Sequence, residues 1–76
     1  MNKEGIMRVG IIGTGWIAEK AAITLAGLNE CECYAVGSRT LDKAEAFAQK
    51  WGISKAYGSY GELMDDQDVD LVYVTT

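Results

Sequence analysis

The stretch "MRVGIIGTGWIAEK" (7–20) constrains the fold most. Its first six residues, "MRVGII", are apolar and β-branched on both parities, as in a strand buried on both faces of a parallel sheet. Glycine then recurs at positions 10, 13 and 15, just before helix-forming residues. Inside a regular element glycine costs roughly 0.5–1 kcal/mol against alanine. A chain bears that cost where the backbone turns sharply or where something comes close to it.

The rest of the chain alternates in type. Ile17, Ala21, Thr24, Leu25 and Leu28 recur at helical spacing, with Gly27 and Asn29 marking the end. "CECYAVGS" (31–38) reads as a second strand with a wetter start at Glu32. "TLDKAEAFAQKWG" (40–52) is the clearest helix. Thr40 is its candidate cap and Asp42 suits its positive N-terminus. Ala44, Phe47, Ala48 and Trp51 form its apolar stripe, and Gly52 stands where a left-handed stop is wanted. "KAYG" (55–58) is a short strand, and "SYGE" (59–62) pairs Ser59 with Glu62 as a capping box for a short helix through Met64. "VDLVYVTT" (69–76) is a fourth strand. The order β-α-β-α-β-α-β specifies a parallel sheet with right-handed crossovers.

In that setting "GTGWIA" (13–18) matches G-x-G-x-x-G/A between a buried strand and a helix. Gly13 allows the turn out of the strand. Gly15, without a side chain, lets a pyrophosphate approach the backbone. Ala18 is small enough for close helix–strand packing. The free N–H groups from about Gly15 to Ile17 point at the phosphates, and the helix dipole adds favourable charge. A P-loop is excluded, because no Gly-Lys pair occurs. The predicted fold is therefore α/β: the first half of a Rossmann-type doubly wound parallel sheet, strand order 3-2-1-4.

The end of the second strand, "VGSRT" (36–40), lies in such a fold beside the adenosine ribose. An acidic residue there would bind the ribose 2′-OH and repel a 2′-phosphate. Ser38 and Arg39 stand there instead, and Lys43 lies one turn into the next helix. A hydroxyl, a planar fork of donors and an ammonium suit a phosphate, so the sequence predicts NADP over NAD, with NAD possible. The bland alternative is a solvated loop cation at Arg39.

Other features narrow the class. The net charge is −4 and the basic residues are scattered, so no nucleic-acid stripe forms. No apolar run approaches the roughly 20 residues that span a bilayer, and "MNKEGIM" lacks a signal-peptide core, so a cytoplasmic location is expected. There is no histidine. Cys31 and Cys33 are too few for a zinc site and read as small apolar residues of a strand. Asp65, Asp66, Asp68 and Asp70 read as a solvated acidic turn, because Leu71 stands where a calcium loop from Asp66 needs glycine. Tyr57 and Tyr60 carry no signal. Trp16, at the edge of the glycine loop, could shield the pyrophosphate or cover the sheet end.

With these residues placed, "RVGIIGTGWIA", "AVGSRTLDKAEAFAQKWGI" and "AYGSYGELMDDQDVDLVYVTT" resemble, in order and spacing, the N-terminal domain of the glucose–fructose oxidoreductase / inositol dehydrogenase / MocA-like family. The resemblance covers residues 7–76. It implies a dinucleotide-binding domain followed by a larger α/β substrate domain, and NAD(P)-dependent oxidation or reduction of a sugar, polyol or related alcohol. Gly13, Thr14, Gly15, Trp16 and Ile17 match the pyrophosphate loop. Ser38, Arg39 and Lys43 match a pattern frequent in NADP-using members. Thr75 and Thr76 match the start of a threonine–proline segment near the nicotinamide ribose. The family's Glu-Lys-Pro lysine and its assisting histidine are expected beyond residue 76, so residues 1–76 read as a partial dinucleotide-binding domain, inactive alone, with the substrate domain outside this chain.

Two function classes remain open on the sequence: the cofactor-binding part of an oxidoreductase, or a non-catalytic NAD(P)-sensing regulator on the same fold. The fourth strand has no further element to cover it, which predicts self-association through the sheet edge.

Overall fold

The structure is a computed structural model that describes residues 5–75. Four parallel strands, β1 (Met7–Ile12), β2 (Cys31–Gly37), β3 (Lys55–Tyr57) and β4 (Leu71–Val74), lie in the order β3-β2-β1-β4. Three helices connect them: α1 (Trp16–Ala26), α2 (Leu41–Trp51) and α3 (Tyr60–Met64). The predicted class, element order and strand order are all present. The fourth strand starts later than expected, because Val69 and Asp70 belong to the turn before it.

One face of the sheet carries α1 and α2. Val9, Ile11 and Val36 from the strands meet Ala18, Ala21, Ala22, Leu25, Ala44, Phe47, Ala48 and Ile53 there. The buried stripe of α1 differs from the expected one. Ala18, Ala21, Ala22 and Leu25 face the sheet, while Ile17, Thr24 and Leu28 are exposed. Small residues sit inward because α1 packs close to the strands, and the bulkier Ile17 and Leu28 would force it away. On α2 the stripe holds at Ala44, Phe47 and Ala48, with Trp51 half-buried and its ring 6.3 Å from that of Phe47. Gly52 ends this helix in the left-handed region, at φ 68° and ψ 35°. Thr40 occupies the N-cap position with extended backbone, yet its side chain makes no capping bond. Ser59 does cap α3: the Glu62 N–H donates to its Oγ at 3.2 Å.

The other face is thinner. Leu63 of α3 is fully buried on Ile12, Tyr34 and Ala35. It fits because two strand positions lack side chains: a Cβ on Gly10 would come 2.8 Å from Leu63 Cδ2, and one on Gly37 would come 3.2 Å from Cδ1. A bulge shapes this face further. Val9 pairs with Cys33 and Gly10 with Ala35, leaving Tyr34 as an extra residue in β2.

The acidic turn is not simply solvated. Tyr57 donates its hydroxyl to Asp66 Oδ2 at 2.5 Å, and the Asp68 N–H donates to Asp66 Oδ1 at 2.8 Å. Tyr34 donates to Asp68 Oδ2 at 3.4 Å. Arg8 lies over the Tyr34 ring at 5.2 Å, and its N–H donates to Asp70 Oδ2 at 2.9 Å. Asp65, Asp68 and Asp70 are exposed, as a surface turn requires, but the fold also brings Tyr57, Tyr34 and Arg8 beside Asp66, Asp68 and Asp70.

Candidate dinucleotide site

The site lies at the carboxyl ends of the strands. There the backbone ladder runs on past the strands themselves. Gly13 N–H donates to Gly37 O at 2.9 Å, and Ser38 N–H donates to Tyr57 O at 3.1 Å. These bonds hold the turn after β1, the tip of β2 and the tip of β3 side by side. Gly13 has φ 114°, a backbone conformation that L side chains rarely adopt. The glycine is needed there for the turn itself. Gly15 is different. Its φ is an ordinary −81°, and an added Cβ would meet no protein atom within 4 Å. Nothing among the described residues demands glycine at 15, which leaves its open side to whatever approaches the backbone there.

Gly15 is also the N-cap of α1, with no side-chain cap. The first N–H groups of this eleven-residue helix are left for an outside acceptor, with the positive end of the helix dipole behind them. Next to them lies a cleft of about 420 Å³ lined by Gly13, Thr14, Ser38, Arg39, Thr40, Lys43 and Tyr60. No carboxylate lines it. A neighbouring cleft of about 430 Å³ shares Thr14 and Lys43 and reaches Gly15, Glu19 and Lys50. Lys50 is paired with Glu19 at 3.1 Å, whereas Arg39 and Lys43 make no ion pair among the described residues. Ser38 is buried, at 6% exposure, and Arg39 is exposed. The cleft thus joins a helix N-terminus, two unpaired cations and a sheltered hydroxyl, an arrangement suited to phosphate groups.

The chain therefore brings together Gly13, Thr14, Ser38, Arg39 and Lys43, as the sequence predicts. It does not bring the side chains of Trp16 and Ile17 into that cleft. Trp16 is 66% exposed with Lys20 Nζ 5.1 Å from its ring centroid, so it does not cover the sheet end. Ile17 lines a separate apolar groove with Ala21, Leu25 and Tyr73. Only the backbone of these two residues faces the role expected of them. Thr75 closes the β4 side of the turn, donating from both N–H (2.9 Å) and Oγ1 (2.7 Å) to Ile12 O. Thr76 lies outside the described residues.

Two lining residues carried no usable signal in the sequence. Thr40 reads only as a cap, and its hydroxyl is free of that duty. Tyr60 follows the capping Ser59, and although the predicted strand order sets β3 beside β2, nothing local says that the start of α3 turns Tyr60 to the cleft.

A sequence model described as "Oxidoreductase family, NAD-binding Rossmann fold" (GFO_IDH_MocA) matches residues 7–76. The chain belongs to this family. Among its relatives, the trans-1,2-dihydrobenzene-1,2-diol dehydrogenase of Mus musculus is 44% identical over 72 residues, covering 92% of this chain and 22% of the relative. A 3-ketoreductase from Actinomadura kijaniata, solved in complex with NADP, superposes with a TM-score of 0.87 at 35% identity, over 93% of this chain and 23% of that one. The myo-inositol dehydrogenase of Lactobacillus casei, solved with NAD(H) and myo-inositol, gives 0.84 at 27% identity, over 93% and 22%. The chain thus spans about a fifth of the length of such relatives. As a family member it is an NAD(P)-binding Rossmann domain of oxidoreductase type, and a nicotinamide dinucleotide is its cofactor class. Among the described residues no helix is long and apolar enough to cross a membrane.

Proposed function

We propose that this chain is the cofactor-binding part of an NADP-preferring oxidoreductase that transfers hydride to or from a ring carbon of a sugar, polyol or related alcohol. The observation that carries the NADP preference is the cleft in which Ser38, Arg39 and Lys43 meet the glycine turn with no carboxylate present. Backbone N–H groups of residues 15–17 take the pyrophosphate, Gly15 leaving room for it, and Thr14 borders the same path. Ser38, Arg39 and Lys43 take the 2′-phosphate. Tyr60 offers a ring wall on the adenine side. Thr75 and Thr76 border the nicotinamide ribose. When bound, the nicotinamide supplies the hydride chemistry, while the chain binds and orients it.

The substrate class rests on relatives described as a trans-1,2-dihydrobenzene-1,2-diol dehydrogenase, a 3-ketoreductase and a myo-inositol dehydrogenase. Their shared chemistry is interconversion of a secondary alcohol and a ketone. Proton transfer to that oxygen falls to residues outside this chain, in a separate substrate domain, so residues 1–76 alone turn over no substrate. The open edge of β4, with Leu71, Tyr73 and Val74 exposed, favours self-association of the isolated chain.

Calorimetric titration with both cofactors tests the preference. NADP binds about tenfold tighter than NAD, as expected for hydrogen bonds to a charged group at a partly exposed site. Arg39→Ala removes most of that difference and leaves NAD binding unchanged. Equal or tighter binding of NAD to the native chain overturns the proposal. Sedimentation at rising concentration tests self-association, and a monomer throughout overturns it.

A further inference from the structure

The tip of β3 adjoins the cofactor cleft, yet Tyr57 and Gly58 do not line it. Tyr57 pairs with Gly37 at the end of the β2–β3 ladder, and its carbonyl accepts the Ser38 N–H at 3.1 Å. The next residue, Gly58, is half-buried and is not among the positive-φ glycines. Backbone conformation therefore does not call for glycine there. Space does. A Cβ on Gly58 would stand 3.2 Å from Leu41 Cβ, 3.3 Å from Leu41 N and 3.4 Å from Leu41 Cα. Two of these atoms are backbone, and all three belong to the first residue of α2. Gly61 gives the contrast: a Cβ there meets nothing within 4 Å.

Filling that space makes one side yield, and the two sides are not equally firm. The β3 side is tied on both flanks of Gly58. Tyr57 is held by the ladder and, through its hydroxyl, by Asp66 Oδ2 at 2.5 Å. Ser59 Oγ accepts the Glu62 N–H at the start of α3. The α2 side is looser. Leu41 is 47% exposed, and Thr40 before it makes no side-chain capping bond. Overpacked contacts are relieved by shifts of side chain and backbone, so the start of α2 is the part that gives way. It takes Arg39, Thr40 and Lys43 with it, whereas Ser38 stays with β3 through its bond to Tyr57 O. The missing side chain at 58 thus sets the gap between the sheltered hydroxyl and the two cations of the cleft.

Given the NADP preference proposed for this cleft, we propose that Gly58 is a positioning residue for the 2′-phosphate. It lets the start of α2 close on the tip of β3, and so brings Arg39 and Lys43 to the distance from Ser38 at which one phosphate meets all three. Charge-assisted hydrogen bonds to phosphate are short and directional, so a small shift of the cations weakens them. NAD has no 2′-phosphate, and its affinity does not depend on this gap.

Calorimetric titration of Gly58→Ala with both cofactors tests this. The NADP-over-NAD ratio should fall from about tenfold to about threefold, through loss of NADP affinity alone, because the charged contacts are lengthened rather than removed. Gly61→Ala adds the same methyl group into open space and should leave the ratio unchanged. Loss of fold weakens both cofactors together and does not move the ratio. A native preference that survives in folded Gly58→Ala, or an equal loss of both affinities, overturns the positioning role and leaves the NADP reading standing. Equal binding of the two cofactors by the native protein overturns both. If Gly58→Ala does not fold, the native protein decides. In 15N-labelled protein NADP should move the amide signals of Gly58 and Leu41 further than NAD does, and a Gly58 signal that answers both cofactors equally overturns the proposal.

Discussion

On one face of the sheet α1 and α2 bury eleven residues, from Val9 to Ile53; on the other α3 brings Leu63 down on Ile12, Tyr34 and Ala35. The first face is held by area. Many small and medium apolar groups share the burial, and no single one is decisive. The second face has one large plug, Leu63, ringed by half-buried Val69, Val72, Tyr57 and Tyr60, and polar ties add to it. Tyr57 holds Asp66, Tyr34 reaches Asp68, and Arg8 holds Asp70. Where apolar cover is thin, position is set by a glycine slot and by hydrogen bonds at its rim. The thin face also carries α3, whose Tyr60 borders the cleft.

Leu63→Ala should be the most damaging change on the thin face. It opens a cavity where no other side chain can collapse, at about 2–5 kcal/mol, read by urea denaturation. A loss no larger than that of Ala48→Gly on the thick face would remove the distinction between the faces. Gly10→Val attacks the same slot from the strand side. Its Cβ alone would stand 2.8 Å from Leu63 Cδ2 and 3.1 Å from Val69 Cγ1. Overpacking of this kind costs about 1–3 kcal/mol. A neutral melting temperature would mean that α3 simply floats.

The two helix starts give a finer test. Ser59→Ala removes a capping bond and should cost about 1 kcal/mol, whereas Thr40→Ala removes none and should stay within about 0.5 kcal/mol. The reverse order in thermal melts would contradict the observed cap geometry. Tyr57→Phe should cost no more than Ser59→Ala, under about 1 kcal/mol, because its partner is only half-buried. Its signature is pH dependence. The bond to Asp66 pushes the Tyr57 hydroxyl from 10.0 up to about 12. Its stabilisation is present below pH 10 and lost as pH climbs through 10 to 12. The same bond holds Asp66 below its ordinary 3.8, so that contribution is present above pH 3.8 and lost as pH falls through the lower folded value. Tyr57→Phe should flatten both slopes of stability against pH; an unchanged profile would show that the bond carries no linkage.

Local signals in the sequence were strong. Continuous apolar runs gave the parallel strands, the period of α2 gave its buried face, and Gly13 with Gly15 gave the turn and the open helix start. All of these depend on residues within a few positions of each other. Ser38, Arg39 and Lys43 were also legible as a group, because the tip of β2 and the first turn of α2 are adjacent in the chain. The inner face of α1 was not. Its period allows either Ile17 or Ala18 to point inward, and only close packing on the sheet favours the alanines. The pairing of β3 with β2 was legible, but the contact it gives Tyr60 with the cleft was not, because it joins Tyr60 to residues some twenty positions and more away.

The sequence by itself determined the order of elements, their parallel arrangement and the dinucleotide turn, since backbone preference and hydrophobic period act over short range. Tertiary structure alone decided the rest. A single extra residue in β2 sets Tyr34 and Ala35 both on the α3 face, and Gly10 and Gly37 become one slot only when their strands lie side by side. Three of the four aspartates that read as a solvated run, Asp66, Asp68 and Asp70, become partners of Tyr57, Tyr34 and Arg8, and the last two pairs join residues more than thirty positions apart that the parallel crossovers bring to one edge. Register and contact across strands depend on the whole packed sheet, and no window of sequence contains them.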